Sequence, residues 1–356
     1  MNAKPMNAGN AGPSSLLLAE AAQAPEAVAR LLEANRTPLE RLVAELERRP
    51  PAFAATVARG SSDNAADFAR YCLESALGLV TASIAPSTVT RYGADLRLEN
   101  GLLLAISQSG ESPDLLAVVE QARRRGAITV AIVNREDSPL AALCAHCLPM
   151  HAGPERSTGA TKSFIASLAV VLSLVAAWGR DADLARALHQ LPDLLRRANG
   201  VDGSAAVPLF AGARSAFVVG RGRSYPIARE IALKLKELAV LHAEAFSAAE
   251  VMHGPLALLS PGFPVLAVGA ADATEEGLRD AMRALRGHGA IVAGASASPL
   301  LLQEADIPLA LPAAPHPALD PVLAAQAAYG LVHAVALARG HDPDAPRHIT
   351  KVTKTL

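Results

Sequence analysis

The stretch LLLAI at 102–106 runs straight into Ser107-Gln108-Ser109-Gly110-Glu111-Ser112 and then Pro113. No other feature limits the architecture as much. A strand that is apolar at every position has both faces covered, as in a parallel sheet flanked by helices. Pro113 suits the first turn of a helix, which reaches about Arg125 before Gly126 stops it, and 128–133 is a second apolar strand. The alternation extends to both sides. Residues 53–58 read as a strand, Gly60-Ser61-Ser62-Asp63-Asn64 as a turn, 65–77 as a helix and 79–84 as a strand. A long apolar helix covers 161–178 and a helical connector 181–212. Strands alternating with helices of this length specify a doubly wound α/β domain.

The pattern restarts at Ser215. Strands are expected at 216–220, 265–268 and 291–293, and helices at 225–239, 274–287 and 317–339. Ala58-Arg59-Gly60-Ser61-Ser62 aligns with Gly220-Arg221-Gly222-Arg223-Ser224 at an offset of 162, and Ala66 then falls on Ala228. Both segments sit at a strand-to-helix switch, where a duplicated unit should reveal itself. The expected organisation is a disordered polar segment at 1–14, N-terminal helices at 15–50, a first domain at 51–195, a second at 196–340 and a tail at 341–356. Two helices are expected within 15–48, ended by Pro50-Pro51.

Composition excludes several classes. A formal net charge of −1 over 356 residues gives no basic face for nucleic acid, and Arg123-Arg124-Arg125 reads as cations at a helix C-terminus. The longest near-apolar run, 164–178, is short for a membrane span. No basic-then-apolar leader pattern opens the sequence, so a cytoplasmic location is expected. Three cysteines argue for a reducing compartment. Cys144-Ala-His-Cys147 has metal-ligand spacing but no second pair, and neither GxGxxG nor GxxxxGK[ST] occurs, so no metal or cofactor is expected.

Ligands of open parallel sheets sit beyond the carboxyl ends of the strands. The Gly60-Ser61-Ser62 and Ser107–Ser112 turns occupy that position. Hydroxyls and free N–H groups at helix N-termini suit a phosphate, although serine also serves there as an ordinary helix cap. In the stretch 230–255, Ile231, Leu235 and Leu238 share one helical face, leaving Glu230, Lys234 and Glu237 together on another. Two carboxylates around an ammonium read either as a solvated face or as a functional group. Glu244, Glu250 and His253-Gly254-Pro255 follow. The cluster Glu155–Lys162 reads as a charged helix cap, and the tail carries Arg347, His348, Lys351 and Lys354.

SQSGESPD at 107–114, the block GRGRSYPIAREIALKLKELAVLHAEAFSAAEVMHGPLALL at 220–259 and DPDAPRHITKVTKT near the end together resemble the sugar isomerase (SIS) family. They are most similar to the isomerase half of glucosamine-6-phosphate synthase and to SIS-type glucosamine-6-phosphate deaminases. The resemblance implies two flavodoxin-like SIS domains in tandem, a homodimer, and a hexosamine 6-phosphate or fructose 6-phosphate as ligand, with no cofactor, nucleic acid or membrane. It further implies phosphate contacts from Ser107, Gln108, Ser109 and Ser112, with Ser61 and Ser62 near the sugar and a backbone contact at Thr158. Glu237 would move a proton between C1 and C2, supported by Lys234 and Glu230. His253, reaching the neighbouring subunit's site, would open the ring. Lys351, in a tail folded over the site, would approach the open-chain carbonyl. Arg223 and Thr350 lie beside these motifs as candidates for tuning the substrate. The synthases carry an N-terminal glutaminase domain, and this sequence has no cysteine before Cys72. Deamination of glucosamine 6-phosphate is therefore the expected direction. The alternatives are a non-catalytic sugar-phosphate-binding regulator, or an isomerase, deaminase or aminotransferase for another phosphosugar.

Overall fold

The apolar run at 102–106 is the middle of β3 (Gly101–Ser107), buried at every position. The computed structural model describes residues 15–351, so the disorder expected over 1–14 and the last tail residues, 352–356, lie outside the described residues. β3 is flanked by β1 (Phe53–Val57) and β4 (Ile128–Val133), with β2 (Thr81–Ser83) and β5 (His146–Pro149) at the edges. The order is β2-β1-β3-β4-β5 and every pair is parallel. In the second half, β6 (Ser215–Gly220), β7 (His242–Ser247), β8 (Pro264–Val268), β9 (Ile291–Ser296) and β10 (Ile307–Ala310) form a second parallel sheet. Its order, β10-β9-β8-β6-β7, is the first sheet's order read from the opposite edge. Register repeats as well. Ala55 faces Leu103 and Phe217 faces Val265; Ala54 faces Thr81 and Ala216 faces Ala243. Each second pair lies 162 residues after the first, the offset visible in the sequence. The chain is two flavodoxin-like doubly wound domains in tandem.

Four helices, Ser61–Leu77, Lys162–Trp178, Tyr225–Ala239 and Asp320–Ala338, pack against one another. They share one apolar cluster with the inward faces of both sheets, joining Leu104 and Ile106 of β3 to Val218 of β6 and Leu266 of β8. The stretch Pro317–Ala338 is long and apolar enough to cross a membrane by length and composition. Here Val322, Leu323 and Val332 are buried in that shared core. The two outer faces are covered separately, by Pro113–Arg124 on the first sheet and Glu275–Gly287 on the second. Polar contacts also cross the repeat. Arg229 donates to Asp67 at 3.0 Å and to Asp63 at 3.2 Å, and Asn64 donates to Glu230 at 2.7 Å.

Several local expectations change. Residues 15–48 hold three helices, Leu16–Ala21, Ala24–Ala34 and Arg36–Arg48. The break comes at Asn35, whose buried side chain donates to the Pro149 carbonyl at 2.7 Å. The turn expected at 60–64 is the start of a helix that begins at Ser61, with Gly60 at φ 56° redirecting the chain. β7 and β10 are strands that the sequence pattern does not mark. Both are edge strands, one alternating and half-exposed, the other short and interrupted by Pro308, so neither has the apolar run of an inner strand. The division expected at 195/196 falls within the Leu191–Asn199 helix.

The loop from β3 to the Pro113–Arg124 helix depends on Gly110. Its φ is 66°, and a Cβ there would come within 2.2 Å of the Ser138 hydroxyl. Gly110→Ala should therefore lower unfolding free energy in urea by roughly 2–4 kcal/mol. A loss under about 0.5 kcal/mol would show that the loop relaxes freely.

Candidate active site

β1 and β3 are hydrogen-bonded neighbours whose carboxyl ends feed different helices, and this order makes the gap between them the topological switch point. Two helices begin there, at Ser61 and Pro113. Between them lies a cleft of about 400 Å³, within the range of small-molecule sites. Ser61, Ser62, Ser107, Gln108, Ser109 and Ser112 all line it. These serines are not ordinary caps. Ser112 stands at the N-cap of Pro113–Arg124 without making a side-chain cap bond. The Ser107 hydroxyl accepts from Gly110 N–H at 3.0 Å, shaping the loop. Arg59, also on the rim, is held by the buried Asp114 at 2.8 Å.

The equivalent turn of the second half is already filled by its own carboxylates. Asp320 accepts from Ala271 N–H at 3.0 Å. Asp272 accepts from Thr274 N–H and Oγ1 at 2.9 and 2.6 Å and pairs with Arg223 at 3.1 Å. Burial pushes the Asp320 carboxyl up to about 6. Arg223, a candidate for tuning the substrate, is thus engaged in this second turn and does not line the cleft. Thr350 does line it.

The cleft's second wall is the Tyr225–Ala239 helix. Lys234 is almost fully buried between Glu230, 3.5 Å away, and Glu237, to which it donates. The triad is therefore no solvated face. Burial disfavours the Lys234 ammonium, but the carboxylates of Glu230 and Glu237 outweigh it and hold the lysine above its usual range. Burial raises Glu230, opposed by Lys234 and by hydrogen bonds from Asn64 and Ser61. Lys234 and Glu237 line the cleft, whereas Glu230 sits behind them as their support.

Thr158 and Glu155, in the loop before the Lys162–Trp178 helix, form the third wall, and the tail closes over it. Lys351 donates to Glu155 Oε2 at 3.0 Å and to the Ser157 carbonyl at 2.6 Å. The sequence suggests only a charged helix cap for Glu155. Its side chain is in fact fully buried and also accepts from Thr161 N–H, Ser163 N–H and Ser163 Oγ at 3.0, 3.1 and 2.7 Å. Burial raises its carboxyl, but the Lys351 ammonium and these donors outweigh that and hold it below its ordinary 4.5. The sequence signal, an acid shortly before Thr161-Lys162-Ser163 at a helix start, was present but not distinctive.

His253 does not join this assembly within one chain. It is exposed, after the short Glu250–Met252 turn, and does not line the cleft. The three thiols are also elsewhere. Cys72 is buried in the core and its thiol is pushed up to about 12; Cys144 and Cys147 are half-buried, and burial pushes them up to about 12 and about 11. His146, beside them, lies 2.6 Å from Glu45. Among the described residues no group of three or more His, Cys, Asp or Glu side chains could hold a metal ion.

Residues 54–177 and 209–338 each match the family model described as the SIS domain. A glutamine–fructose-6-phosphate aminotransferase (isomerizing) from Methanothermobacter thermautotrophicus is 35% identical over 301 residues, covering 83% of this chain and 50% of that protein. The chain spans about half the length of the curated relatives it matches. Among solved structures, a candidate phosphosugar isomerase from Silicibacter pomeroyi DSS-3 is 40% identical with a TM-score of 0.86, covering 93% of this chain and all of that one. The C-terminal domain of a glucosamine-fructose-6-phosphate aminotransferase from Francisella tularensis is 26% identical with a TM-score of 0.84, covering 95% and 100%.

Because Glu155 has a depressed carboxyl, its stabilising effect is complete above its unfolded value of 4.5 and disappears as pH falls through the folded value. Glu155→Gln should lose about 3 kcal/mol in urea unfolding at pH 7. That difference should shrink steadily below about pH 4.5, and a gap independent of pH would contradict this assignment.

Proposed function

The chain belongs to the SIS domain family, and we propose that its cleft binds glucosamine 6-phosphate and converts it with water to fructose 6-phosphate and ammonia. The observation that carries this reading is that one cleft is lined by the Ser107–Ser112 turn, by Glu237 on its Lys234 support, and by Lys351. In this reading the 6-phosphate lies against Ser107, Gln108, Ser109 and Ser112, where helix N-termini favour an anion. Ser61, Ser62 and Thr158 contact the sugar. The protein works as a homodimer, with His253 of one subunit opening the pyranose in the other.

Once the ring is open, Glu237 takes the C2 proton. Electrons of that C–H bond form the C1–C2 double bond, and the carbonyl oxygen takes up a proton beside the Lys351 ammonium. Glu237 then returns its proton to C1, leaving a protonated imine at C2. Water adds there, ammonia departs and the ketone of fructose 6-phosphate remains. One carboxylate serves both carbons because it must be ionised first and protonated next.

Purified protein given glucosamine 6-phosphate should release ammonia and fructose 6-phosphate in equal amounts. Glu237→Gln should lower kcat by roughly 10²–10⁴-fold and leave sugar-phosphate binding nearly unchanged. Near-normal turnover by that variant would remove Glu237 from the proton transfer. Binding without turnover by the wild type would favour a sugar-phosphate sensor.

A further inference from the structure

We infer that Glu20 and Asp344 are positioning residues for Lys351, closing a ring of hydrogen bonds from the C-terminal strap through the N-terminal helix to the cleft wall and back to the strap. The inference rests on the proposal that Lys351 acts on the sugar, and it assigns work to two carboxylates that do not line the cleft.

The ring begins at the Leu16–Ala21 helix. Its own N-cap residue, Ser15, makes no side-chain cap bond. Asp344 supplies the cap from the other end of the chain. It accepts from Leu16 N–H at 2.7 Å and from Leu17 N–H and Ser15 Oγ at 2.8 and 3.2 Å. A helix this short is marginal alone, so its position follows the strap that caps it. Toward the end of the same helix is Glu20, a buried carboxylate only 4% exposed. Glu20 accepts from Arg156 N–H at 2.6 Å and from Ser157 N–H at 2.9 Å. Both of its oxygens are therefore spent on fixing one peptide segment of the cleft wall. The carbonyl of Ser157 receives Lys351 at 2.6 Å, beside Glu155 at 3.0 Å.

The strap is thus tied at Asp344 and at Lys351, and both ties act through one helix. Between them Ile349 and Thr350 lie on the cleft. A further bond sits at the same corner: Lys162 joins Gln23, just after this helix, to the Pro154 carbonyl. Opening the ring at Asp344 or Glu20 loosens the segment that carries Lys351, leaving its bond to Glu155 as the tie outside the ring. The same opening gives sugar a way in and product a way out, so the strength of the ring sets how Lys351 is presented.

The test compares wild type, Asp344→Asn, Glu20→Gln and the double variant as full-length protein. Amide hydrogen exchange is followed over 345–351 and over β3 and β4, and kcat and KM are measured with glucosamine 6-phosphate. Each single variant should speed exchange in the strap about tenfold or more while β3 and β4 keep their protection. kcat should fall more than KM changes, and the double variant should be no worse than the poorer single one, because a ring is opened only once. Unchanged strap exchange, or effects that simply multiply in the double variant, would overturn the inference. If Glu20→Gln fails to fold, Asp344→Asn decides by the same exchange readout. A wild type inert toward the sugar would sink the functional proposal, and exchange would still judge the ring.

Discussion

The contact on which the rest depends is the pairing of the Ser61–Leu77 and Tyr225–Ala239 helices across the internal repeat. Asn64 reaches from the first to Glu230 on the second, and Arg229 reaches back to Asp63 and Asp67. One helix begins at the Gly60-Ser61-Ser62 turn on the cleft, and the other carries Glu237. Joining them in the shared core brings Ser61 and Ser62 of one half and Glu237 of the other to a single cleft. The buried Glu230–Lys234–Glu237 group is part of this junction. Taking away one member of such a group leaves uncompensated buried charge, worth ~3–5 kcal/mol, so the site's acid and the interior are stabilised together.

Duplication produced two turns at equivalent switch points, and the halves then used them differently. In the first, the Ser112 hydroxyl makes no cap bond and the turn faces the cleft. In the second, Asp320 and Asp272 occupy the donors that an anion would use, and Arg223 is drawn to Asp272. One turn faces the cleft, and the other serves structure.

Much of this was legible in the sequence where a single physical requirement dominated. β4 appeared with its full range and β3 within one residue at each end, because a strand covered on both faces must be apolar throughout. The offset of 162 foretold the repeated register because strand-to-helix turns constrain residue type. Edge strands β7 and β10 were not legible, since one side of each needs neither an apolar face nor a partner. Glu155 was hidden for another reason. A buried acid and a capping acid look alike until the tail brings Lys351 to it. Ser61, Ser62, Ser107, Gln108, Ser109, Ser112, Thr158, Lys234, Glu237 and Lys351 meet in one cleft. Glu230 supports them from behind, and His253 stands apart within one chain. Long-range ties such as Asp344 to the first helix leave no local pattern at all.

In the proposed reaction one sugar phosphate spans from the Ser107–Ser112 turn to Glu237. The most direct measurement is a structure of the protein with glucosamine 6-phosphate or fructose 6-phosphate bound. The phosphate should lie against Ser107, Ser109 and Ser112, with the Glu237 carboxylate roughly 3 Å from C1 and C2. A phosphate bound elsewhere, or those carbons turned away from Glu237, would rule out this placement of the sugar.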